Sequence, residues 1–385
     1  MKKMFSLMLI MISIGVLAVG CTKKESLCWN PQNKSQPVSY AAIDLKEILQ
    51  LKANDTLFVV DADNEKLLYI VLEEKQQELQ NGYVMEQGEV LQCKGGVLNY
   101  KTNQIIWEKT DKENIFHSGL LMNQGAILCV SPKEKKSEDG VQDYSIIQYQ
   151  GSEEKVLAQG TCKEDGYFLP YFNHLKDGTI LYSWQNVERS GEIVFGVNQL
   201  DRKGNIINLF KRKETKECSF LNSEFDCNGN EFLIFYEENG EGKFYIGDET
   251  GEIGAFVLEK QEKLNSFCLL KKYILLGVSD NEDSTNWTHK MILKDYQGQP
   301  LAIEESGRDI GYYNITGNGE CAALVQNSLG EKFLVVMQQD SKMFELQPIE
   351  NIEPKKGAAV FFNLSVNEWM VYYPGKNVAQ ALHFD

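Results

Sequence analysis

The sequence predicts an all-β fold, a β-propeller of seven four-stranded blades closed by pairing between its N- and C-terminal strands. The main observation behind it is a pair of turn series that alternate along the chain at regular intervals. Helix-forming stretches are also scarce, with residues 41–51 and 73–81 as the only candidates. The chain is rich in aromatic residues, with 17 Tyr and 19 Phe, which favours strands over helices.

One turn series consists of apolar strands that end in an acidic or polar residue and lead through a short turn into another strand. The markers of this series follow one another at intervals of 49, 53, 47, 47, 45 and 45 residues. They are Asn99, Gln148, Asp201, Asp248, Asp295, Asp340 and Asp385. A repeat of this length is typical of propellers and related repeat architectures.

The other series consists of tight turns between apolar runs, and it runs in register with the first. The clearest are Asp177-Gly178, Asn228-Gly229 and Asn318-Gly319, since such pairs take the positive φ angles that two-residue hairpins need. Less regular turns complete the series at Asp63-Asn64, Gln124-Gly125, Lys271-Lys272 and Val366-Asn367. Two alternating turns per unit give four antiparallel strands, which is the content of a propeller blade.

The two ends of the chain are expected to share one blade. Residues 359–385 supply three strands, so the segment around 38–50 is predicted to add the fourth. Such a closure removes an open sheet edge. Six or eight blades are the alternatives for the blade number, and a β-sandwich or two β-domains are the alternatives for the fold.

Two of the repeat units resemble quinoprotein-like or TolB-like propeller blades at the Asp-x-x-Gly turn. The stretch Asn99-Tyr100-Lys101-Thr102, with Trp107, most resembles the quinoprotein-type ending. The resemblance implies a generic blade and carries over no cofactor site, so no cofactor is expected.

The N-terminus has the layout of a secretory signal, because Lys2 and Lys3 precede an apolar run over residues 4–20. That run is slightly short for a membrane span of roughly 20 residues. Its end, Leu17-Ala18-Val19-Gly20 with Cys21, resembles the lipobox of bacterial lipoproteins. The resemblance implies cleavage before Cys21 and a diacylglycerol on its thiol, often with a further acyl chain such as palmitate. An uncleaved anchor helix and a plain signal peptide are the alternatives.

Three segments follow from these observations. Residues 1–20 are predicted to be the signal peptide, 21–37 the lipidated cysteine with a flexible polar spacer, and 38–385 the propeller domain. Lipidation predicts a protein on the extracytoplasmic side of the cell membrane, on the outer face of the cell or in the periplasm. Two acyl chains hold a protein stably at a bilayer, whereas one chain gives reversible attachment.

The chain is strongly acidic. Without Lys2 and Lys3, 37 Lys and Arg residues remain against 55 Asp and Glu, which leaves a net charge of about −18. Such a charge repels nucleic acids and anionic headgroups, so nucleic acid is excluded as a favoured partner.

Eight cysteines remain besides Cys21, and their spacings match no zinc-binding pattern. Cys218 and Cys227 flank one predicted hairpin and form the best candidate disulfide. Buried thiols are nevertheless the expectation for most of the eight, because free cysteine in an apolar strand behaves as a small hydrophobic residue.

The expected blade geometry separates two faces. Because alternate connections of an antiparallel blade fall on the same side, both turn series lie on one face, the short-turn face. The longer connections gather on the opposite side, the long-loop face. Long loops on a rigid scaffold are where binding residues concentrate, so function is expected on the long-loop face.

Two long connections, at 279–288 and 186–191, contain candidate ligand-binding residues. Acidic groups beside an exposed aromatic ring suit a cation, a sugar or a cationic peptide. The candidates are Asp280, Glu282, Asp283, Trp287 and His289 in the first connection, with Trp184, Glu188 and Arg189 in and beside the second. The alternative in both places is a solvated loop whose tryptophan packs onto its own blade.

No catalytic or metal-binding motif is present in the sequence. His117 and His174 lie near strands expected to line the central channel, where structural hydrogen bonding is the simpler role. The run from Asp61 to Glu65 alternates carboxylates as calcium loops do, but Lys66 stands where an EF-hand needs glycine. We therefore expect a hairpin turn that exposes its acids, and no metal site.

The sequence favours a binding or scaffold module whose long-loop face meets a protein, a peptide or a glycan. One alternative is an extracellular hydrolase or lyase acting on glycans or peptides at the channel mouth. The other is an accessory or sensor subunit of an envelope complex.

Overall fold

The computed structural model describes the chain in segments. They are 25–26, 38–39, 42–74, 90–122, 125–133, 141–163, 170–174, 179–188, 191–201, 204–215, 218–219, 225–229, 231–260, 262–270, 272–283, 286–306, 321–326, 332–337, 344–348, 360–365, 368–374 and 376–383. Within these segments no helix is long and apolar enough to cross a membrane.

Short elements precede the first complete sheet. They are β1 (Glu25–Ser26), β2 (Val38–Ser39), β3 (Ile43–Asp44) and the helix α1 (Leu45–Ile48). Asp44 caps α1, because its carboxylate accepts a hydrogen bond of 3.1 Å from the backbone N–H of Glu47. A single helical turn is not stable alone, so the burial of Leu45 between two sheets holds α1 in place.

Five antiparallel sheets follow in chain order. The first contains β4 (Asp55–Ala62), β5 (Lys66–Glu74), β6 (Val90–Asn99) and β7 (Gln104–Asp111). The second contains β8 (Asn114–Met122), β9 (Gly125–Pro132), β10 (Val141–Gln150) and β11 (Glu153–Lys163). The third contains β12 (Tyr171–His174), β13 (Ile180–Val187), β14 (Ile193–Leu200) and β15 (Ile206–Lys213). The fourth contains β16 (Cys218–Ser219), β17 (Phe225–Asn228), β18 (Glu231–Glu238), β19 (Glu241–Asp248) and β20 (Gly251–Val257). The fifth contains β21 (Glu262–Leu270), β22 (Tyr273–Asp283), β23 (Asn286–Lys294) and β24 (Pro300–Ser306), with β1 added beside β24.

Two further sheets complete the ring. The sixth contains β25 (Cys321–Gln326), β26 (Lys332–Met337) and β27 (Phe344–Pro348). The last contains β28 (Val360–Ser365), β29 (Glu368–Tyr373) and β30 (Val378–His383), completed by β2 and β3. The predicted all-β propeller is confirmed. Among the described residues six sheets have four strands or more, against seven predicted, and the sixth sheet in chain order has three.

The acidic markers of the sequence repeat sit where the third strand of a sheet turns into the fourth. Asp201 accepts a hydrogen bond of 2.7 Å from the backbone N–H of Asn205, and Asp295 accepts one of 2.8 Å from Gln299. Asp248 accepts one of 2.7 Å from the N–H of Thr250. The repeat exists because a short acidic side chain satisfies the turn's own backbone donors.

The predicted closure is confirmed by the pairing of the last sheet. Val38 pairs with His383 in β30, and Ile43 pairs with Ala379. The Tyr372 hydroxyl then links the last sheet to the first, donating to the backbone carbonyl of Leu57 at 2.9 Å. The ring is thus closed by contacts between residues from opposite ends of the chain.

The cores of the protein lie between neighbouring sheets. Each core cluster combines residues of successive sheets, and one combines the first sheet with the last. Six cysteines are buried free thiols: Cys93, Cys129, Cys162, Cys218, Cys227 and Cys268. The candidate disulfide between Cys218 and Cys227 is therefore absent, since both thiols pack in the core between the third and fourth sheets.

Candidate functional site

The connection at 279–288 is the tip of a β-hairpin. β22 continues to Asp283 and β23 begins at Asn286, and these two residues pair with each other. Asp280 pairs with Thr288, so the expected loop is almost entirely strand. The side chains of Asp280, Glu282, Asp283, Trp287 and His289 lie outside the described part of the structure. The ligand site expected there stays a prediction.

The residues of the second predicted ligand site, at 186–191 and beside it, do not come together. Trp184 in β13 packs against the core between the second and third sheets, and in the described structure its indole N–H has no hydrogen-bond partner. Glu188 is exposed, and its carbonyl accepts a hydrogen bond of 2.8 Å from the N–H of Gly191 across a tight turn. Arg189 lies outside the described residues. Trp184 and Glu188 therefore do not form a common site.

His117 has a structural partner inside the second sheet. Its Nε2 lies 2.7 Å from the hydroxyl of Ser131, which also accepts a hydrogen bond of 2.7 Å from Gln142. Ser131 is fully buried, and burial lowers the pKa of His117 to about 4. The imidazole is therefore neutral near pH 7, and the serine is closed to substrates. This arrangement agrees with the structural role expected for His117. The side chain of His174 lies outside the described residues.

Two carboxylates join neighbouring sheets near the centre of the ring, where β4, β8, β12, β17 and β21 contact one another in turn. Asp61 accepts a hydrogen bond of 2.8 Å from the backbone N–H of Leu121 in the next sheet. Asp226 accepts one of 2.7 Å from the N–H of Leu269, again in the next sheet. The inner edge of each blade has unpaired backbone donors, and these carboxylates satisfy two of them.

Desolvation dominates the protonation of these two groups. It raises the pKa of Asp61 to about 6 and that of Asp226 to about 7, although backbone hydrogen bonds oppose the rise. The expectation that the acids of 61–65 are all exposed on a hairpin was therefore wrong for Asp61. A register shift between Val59 and Asp61 places Asp61 where it bonds to the second sheet.

A cavity of about 880 Å³ lies between the first sheet and the last, and we call it the closure cleft. It is lined by Ala42, Ile43, Asp44, Glu47, Ile48, Asn64, Tyr100, Lys101, Asn103, Leu364, Glu368 and Ala381. Two turns of the first sheet contribute to its rim, and both belong to the short-turn face. The sequence placed function on the opposite face, because short turns alone gave no sign that two distant sheets leave a space between them.

The walls of the closure cleft are held by hydrogen bonds. The Tyr100 hydroxyl donates to the backbone carbonyl of Asp63 at 2.9 Å, which fixes one turn of the first sheet against the other. The Asn99 side chain accepts hydrogen bonds from the N–H groups of Lys101 and Thr102, at 3.1 and 3.0 Å. Opposite them, the N–H of Leu45 donates to the carbonyl of Asn377 at 3.0 Å. The cleft is thus preformed by fixed backbone on both sides.

A second, much smaller cavity of about 100 Å³ lies at the other side of the segment that follows α1. Its polar side chains bond to each other. Lys52 donates to Glu73 at 2.6 Å, and the Tyr69 hydroxyl donates to Glu108 at 2.7 Å. The hydrogen bond from Lys52 lowers the pKa of Glu73. Because the polar side chains of this small cavity are already hydrogen-bonded to each other, the closure cleft is the better candidate for a ligand site.

Metal binding has no support in the described part of the chain. There, no three His, Cys, Asp or Glu side chains come together as metal ligands would.

Comparisons with known proteins give the fold. No family model and no curated protein matches the sequence. Among solved structures, prolyl oligopeptidase B from Galerina marginata, bound to a 25mer macrocyclization substrate, matches with a TM-score of 0.52 and 12% identity over 85% of this chain and 48% of that one. The β-propeller domain of the Trilobed protease from Pyrococcus furiosus matches with a TM-score of 0.46 and 10% identity over 68% and 79%. TolB from Acinetobacter baumannii matches with a TM-score of 0.34 and 8% identity over 92% and 86%.

The chain spans about half the length of the prolyl oligopeptidase it matches. At these identities the likeness concerns the propeller fold alone.

Proposed function

We propose that this protein is an extracytoplasmic binding module, held at a membrane by lipid on Cys21, that takes a compact ligand in the closure cleft. The observation that carries the proposal is the cleft itself. Its volume of about 880 Å³ falls within the roughly 300–1,000 Å³ of small-molecule sites, which combine apolar walls with a few polar groups. A propeller fold supports this role, because it supplies rigid walls.

A binding role agrees better than a catalytic one with the titratable groups near the ring centre. Ser131 and His117 are engaged with each other inside a sheet, and Ser131 is fully buried. Asp61 and Asp226 are engaged by backbone N–H groups of the next sheet. Each group is therefore committed to holding the fold.

The membrane tether is proposed from the lipobox, and the pairing of β1 adds an orientation to it. Glu25 and Ser26 run parallel to Ala302 and Ile303 at the outer edge of the fifth sheet. Cys21 precedes Glu25 by four residues, and an extended chain covers at most about 3.6 Å per residue. The lipid would then lie within about 14 Å of that edge. We propose that the outer edge of the fifth sheet is the side nearest the bilayer.

Lipidation is tested by metabolic labelling of the full chain, expressed in a bacterium, with an alkyne-bearing fatty acid. The wild type is expected to take up label and to fractionate with membranes. Cys21→Ser should take up none, while Cys28→Ser, the matched control in the spacer, should keep it. Label that survives Cys21→Ser, or a wild type without label, would overturn the tether.

Binding in the closure cleft is tested by filling it. Ala42 is exposed on the cleft wall, so Ala42→Trp places an indole in the cavity without disturbing a core. Ala53→Trp, also at an exposed alanine but outside the cleft lining, is the matched control. With the neutral probe 4-phenylbutanol and calorimetry, the wild type and the control are expected to bind alike. Ala42→Trp should weaken binding by about tenfold or more, equivalent to about 1.4 kcal/mol. Equal binding by all three proteins would contradict the proposal, as would an absence of binding to the wild type.

A larger partner is proposed at the long-loop face, as the sequence suggests. The hairpin of β22 and β23 supports this, since its strands stay paired out to Asp283 and Asn286 at that side of the fifth sheet. Such a partner would be a protein, a peptide or a glycan. Crosslinking of the tethered chain in membranes, with and without residues 281–288, would reveal a protein partner that depends on the hairpin.

A further inference from the structure

We infer that the closure cleft selects an organic cation, an ammonium or guanidinium group carried on an apolar body. The inference rests on the proposed function, because it names the chemistry of the ligand for the same cleft. The described lining supplies three features for it: an excess of carboxylates, an aromatic ring among them, and an apolar wall.

The charges of the lining are unbalanced. Among the described lining residues, Asp44, Glu47 and Glu368 contribute three carboxylates, and Lys101 contributes one positive charge. The chain as a whole has a formal net charge of −16, so the surrounding field has the same sign as the cleft. A cleft with an excess of one charge sign concentrates counter-ions of the other sign. A cation is therefore attracted, and an anion of the same size is repelled.

Tyr100 places an aromatic ring within this negative field. Tyr100 is 8% exposed and packs in the core between the first and last sheets, with its exposed part in the cleft lining. Burial raises the pKa of its phenol, and the charges of Asp63, Glu368 and Glu65 raise it further. The hydroxyl is already committed to the carbonyl of Asp63. What Tyr100 offers a ligand is thus its π system, and a cation near an aromatic ring gains roughly 0.5–2 kcal/mol.

An apolar wall completes the cleft. Ile43 and Ile48 lie on one side and Leu364 and Ala381 on another, so a bare metal ion or a fully hydrated polyamine would leave this surface unused. Contact with a hydrocarbon body gains about 25 cal/mol per Å² of apolar surface removed from water. A ligand that contacts both the carboxylates and the apolar wall of the described lining therefore has a cationic group at one end and a hydrocarbon body at the other.

Two sources offer this chemistry, a free amine and the basic side chain of a peptide. Three probes with the same skeleton isolate the charge: 4-phenylbutylamine, 4-phenylbutanol and 4-phenylbutyrate. The dipeptide amide Phe-Lys, acetylated at its N-terminus, represents the peptide source. Each probe is titrated into the mature chain carrying Cys21→Ser, at pH 7 and low salt, and calorimetry measures the binding.

The amine is expected to bind about tenfold more tightly than the alcohol, and the carboxylate to bind most weakly. Glu368→Gln should reduce the preference of amine over alcohol several-fold, as measured with both probes on the same protein. Lys101→Gln should tighten amine binding, because it removes the positive charge that the described lining contains. Glu249→Gln, in an exposed turn of the fourth sheet on the same face, is the matched control and should change nothing.

The outcomes separate this inference from the proposed function. Equal binding of amine and alcohol, or a preference for the carboxylate, overturns the cation inference and leaves the cleft as a ligand site. If none of the probes binds, the proposed function fails together with it. Tighter binding of the dipeptide than of the amine identifies a basic peptide as the source, and the reverse identifies a free amine. Either result supports the inference.

Discussion

The junction between the fourth and fifth sheets is filled by aromatic rings, whereas the junction between the first and last sheets has a core with an open cleft beside it. In the former, Phe244 is buried with the rings of Phe235, Phe256 and Phe267 at 4.8, 4.6 and 5.8 Å. In the latter, the closure cleft leaves about 880 Å³ between the walls. The difference shows where the ring of sheets has space for a ligand.

The two junctions differ in how they are connected. The fourth and fifth sheets follow each other in the chain, and aromatic side chains from both interlock between them. The first and last sheets come from opposite ends of the chain, share a core cluster with α1, and are joined by the hydrogen bond from Tyr372 to Leu57. The short helix α1 and the strand β3 fill less of the space between the first and last sheets than the aromatic rings fill between the fourth and fifth sheets. The space that remains is the closure cleft.

The largest expected effect lies in the filled junction. Phe244→Ala removes a buried ring from contact with three others and should lower the free energy of unfolding by about 3–5 kcal/mol. Ile48→Ala, in the lining of the closure cleft, should cost only about 1 kcal/mol, since part of its surroundings is already open. Urea denaturation measures both values. Phe58→Ala is the control, because this ring is 47% exposed. Equal losses for Phe244→Ala and Ile48→Ala would contradict the contrast between the junctions.

The next effect concerns pH and the carboxylate that joins the fourth and fifth sheets. The pKa of Asp226 is raised to about 7 in the folded protein, against roughly 4 in the unfolded chain. Its protonation therefore stabilises the fold most below about pH 4, and this contribution disappears as the pH rises through 7. Between pH 8 and pH 5 the free energy of unfolding should increase by about 2–3 kcal/mol through this group.

Denaturation at pH 5, 6 and 8 tests this with Asp226→Asn beside the wild type. The two pH dependences should diverge by that amount, because the asparagine does not titrate. Glu249→Gln, an exposed turn residue, should follow the wild type. Parallel curves for wild type and Asp226→Asn would show that the group is ionised throughout.

The smallest effect concerns the closure of the ring. Tyr372→Phe removes the hydrogen bond to the carbonyl of Leu57, a loss of about 1 kcal/mol. Tyr69→Phe removes a hydrogen bond to Glu108, whose side chain water can reach, and should cost less. Denaturation of the two variants side by side gives the difference. If Tyr69→Phe lowers the free energy of unfolding more than Tyr372→Phe does, the hydrogen bond from Tyr372 to Leu57 does not hold the first and last sheets together.

The fold was largely predictable because its signals are local. Each acidic marker such as Asp201 or Asp295 bonds to the backbone of its own turn, so its spacing reports the strand order directly. The closure by 38–44 was predictable from counting, since the final unit has one strand too few. The blade number was less secure, because a count of turns does not show that every blade has four strands.

The closure cleft and the role of Asp61 were not predictable, because both depend on contacts between distant segments. The cleft combines residues near 42–48, 100–103 and 364–381, and no local pattern connects these three segments. Asp61 and Asp63 look alike in sequence, yet Asp63 bonds to its own turn, whereas Asp61 bonds to Leu121 in the next sheet. A register shift in β4 makes that difference, and such a shift has no sequence signal of its own here.

The most direct test of the account is a crystal structure of the Cys21→Ser chain soaked with 4-phenylbutylamine at a concentration that saturates it in solution. The account predicts density for the amine in the closure cleft, with its nitrogen near Glu368 and Tyr100 and its ring against Ile43 and Leu364. Density at the long-loop face alone, with an unoccupied cleft, would contradict it.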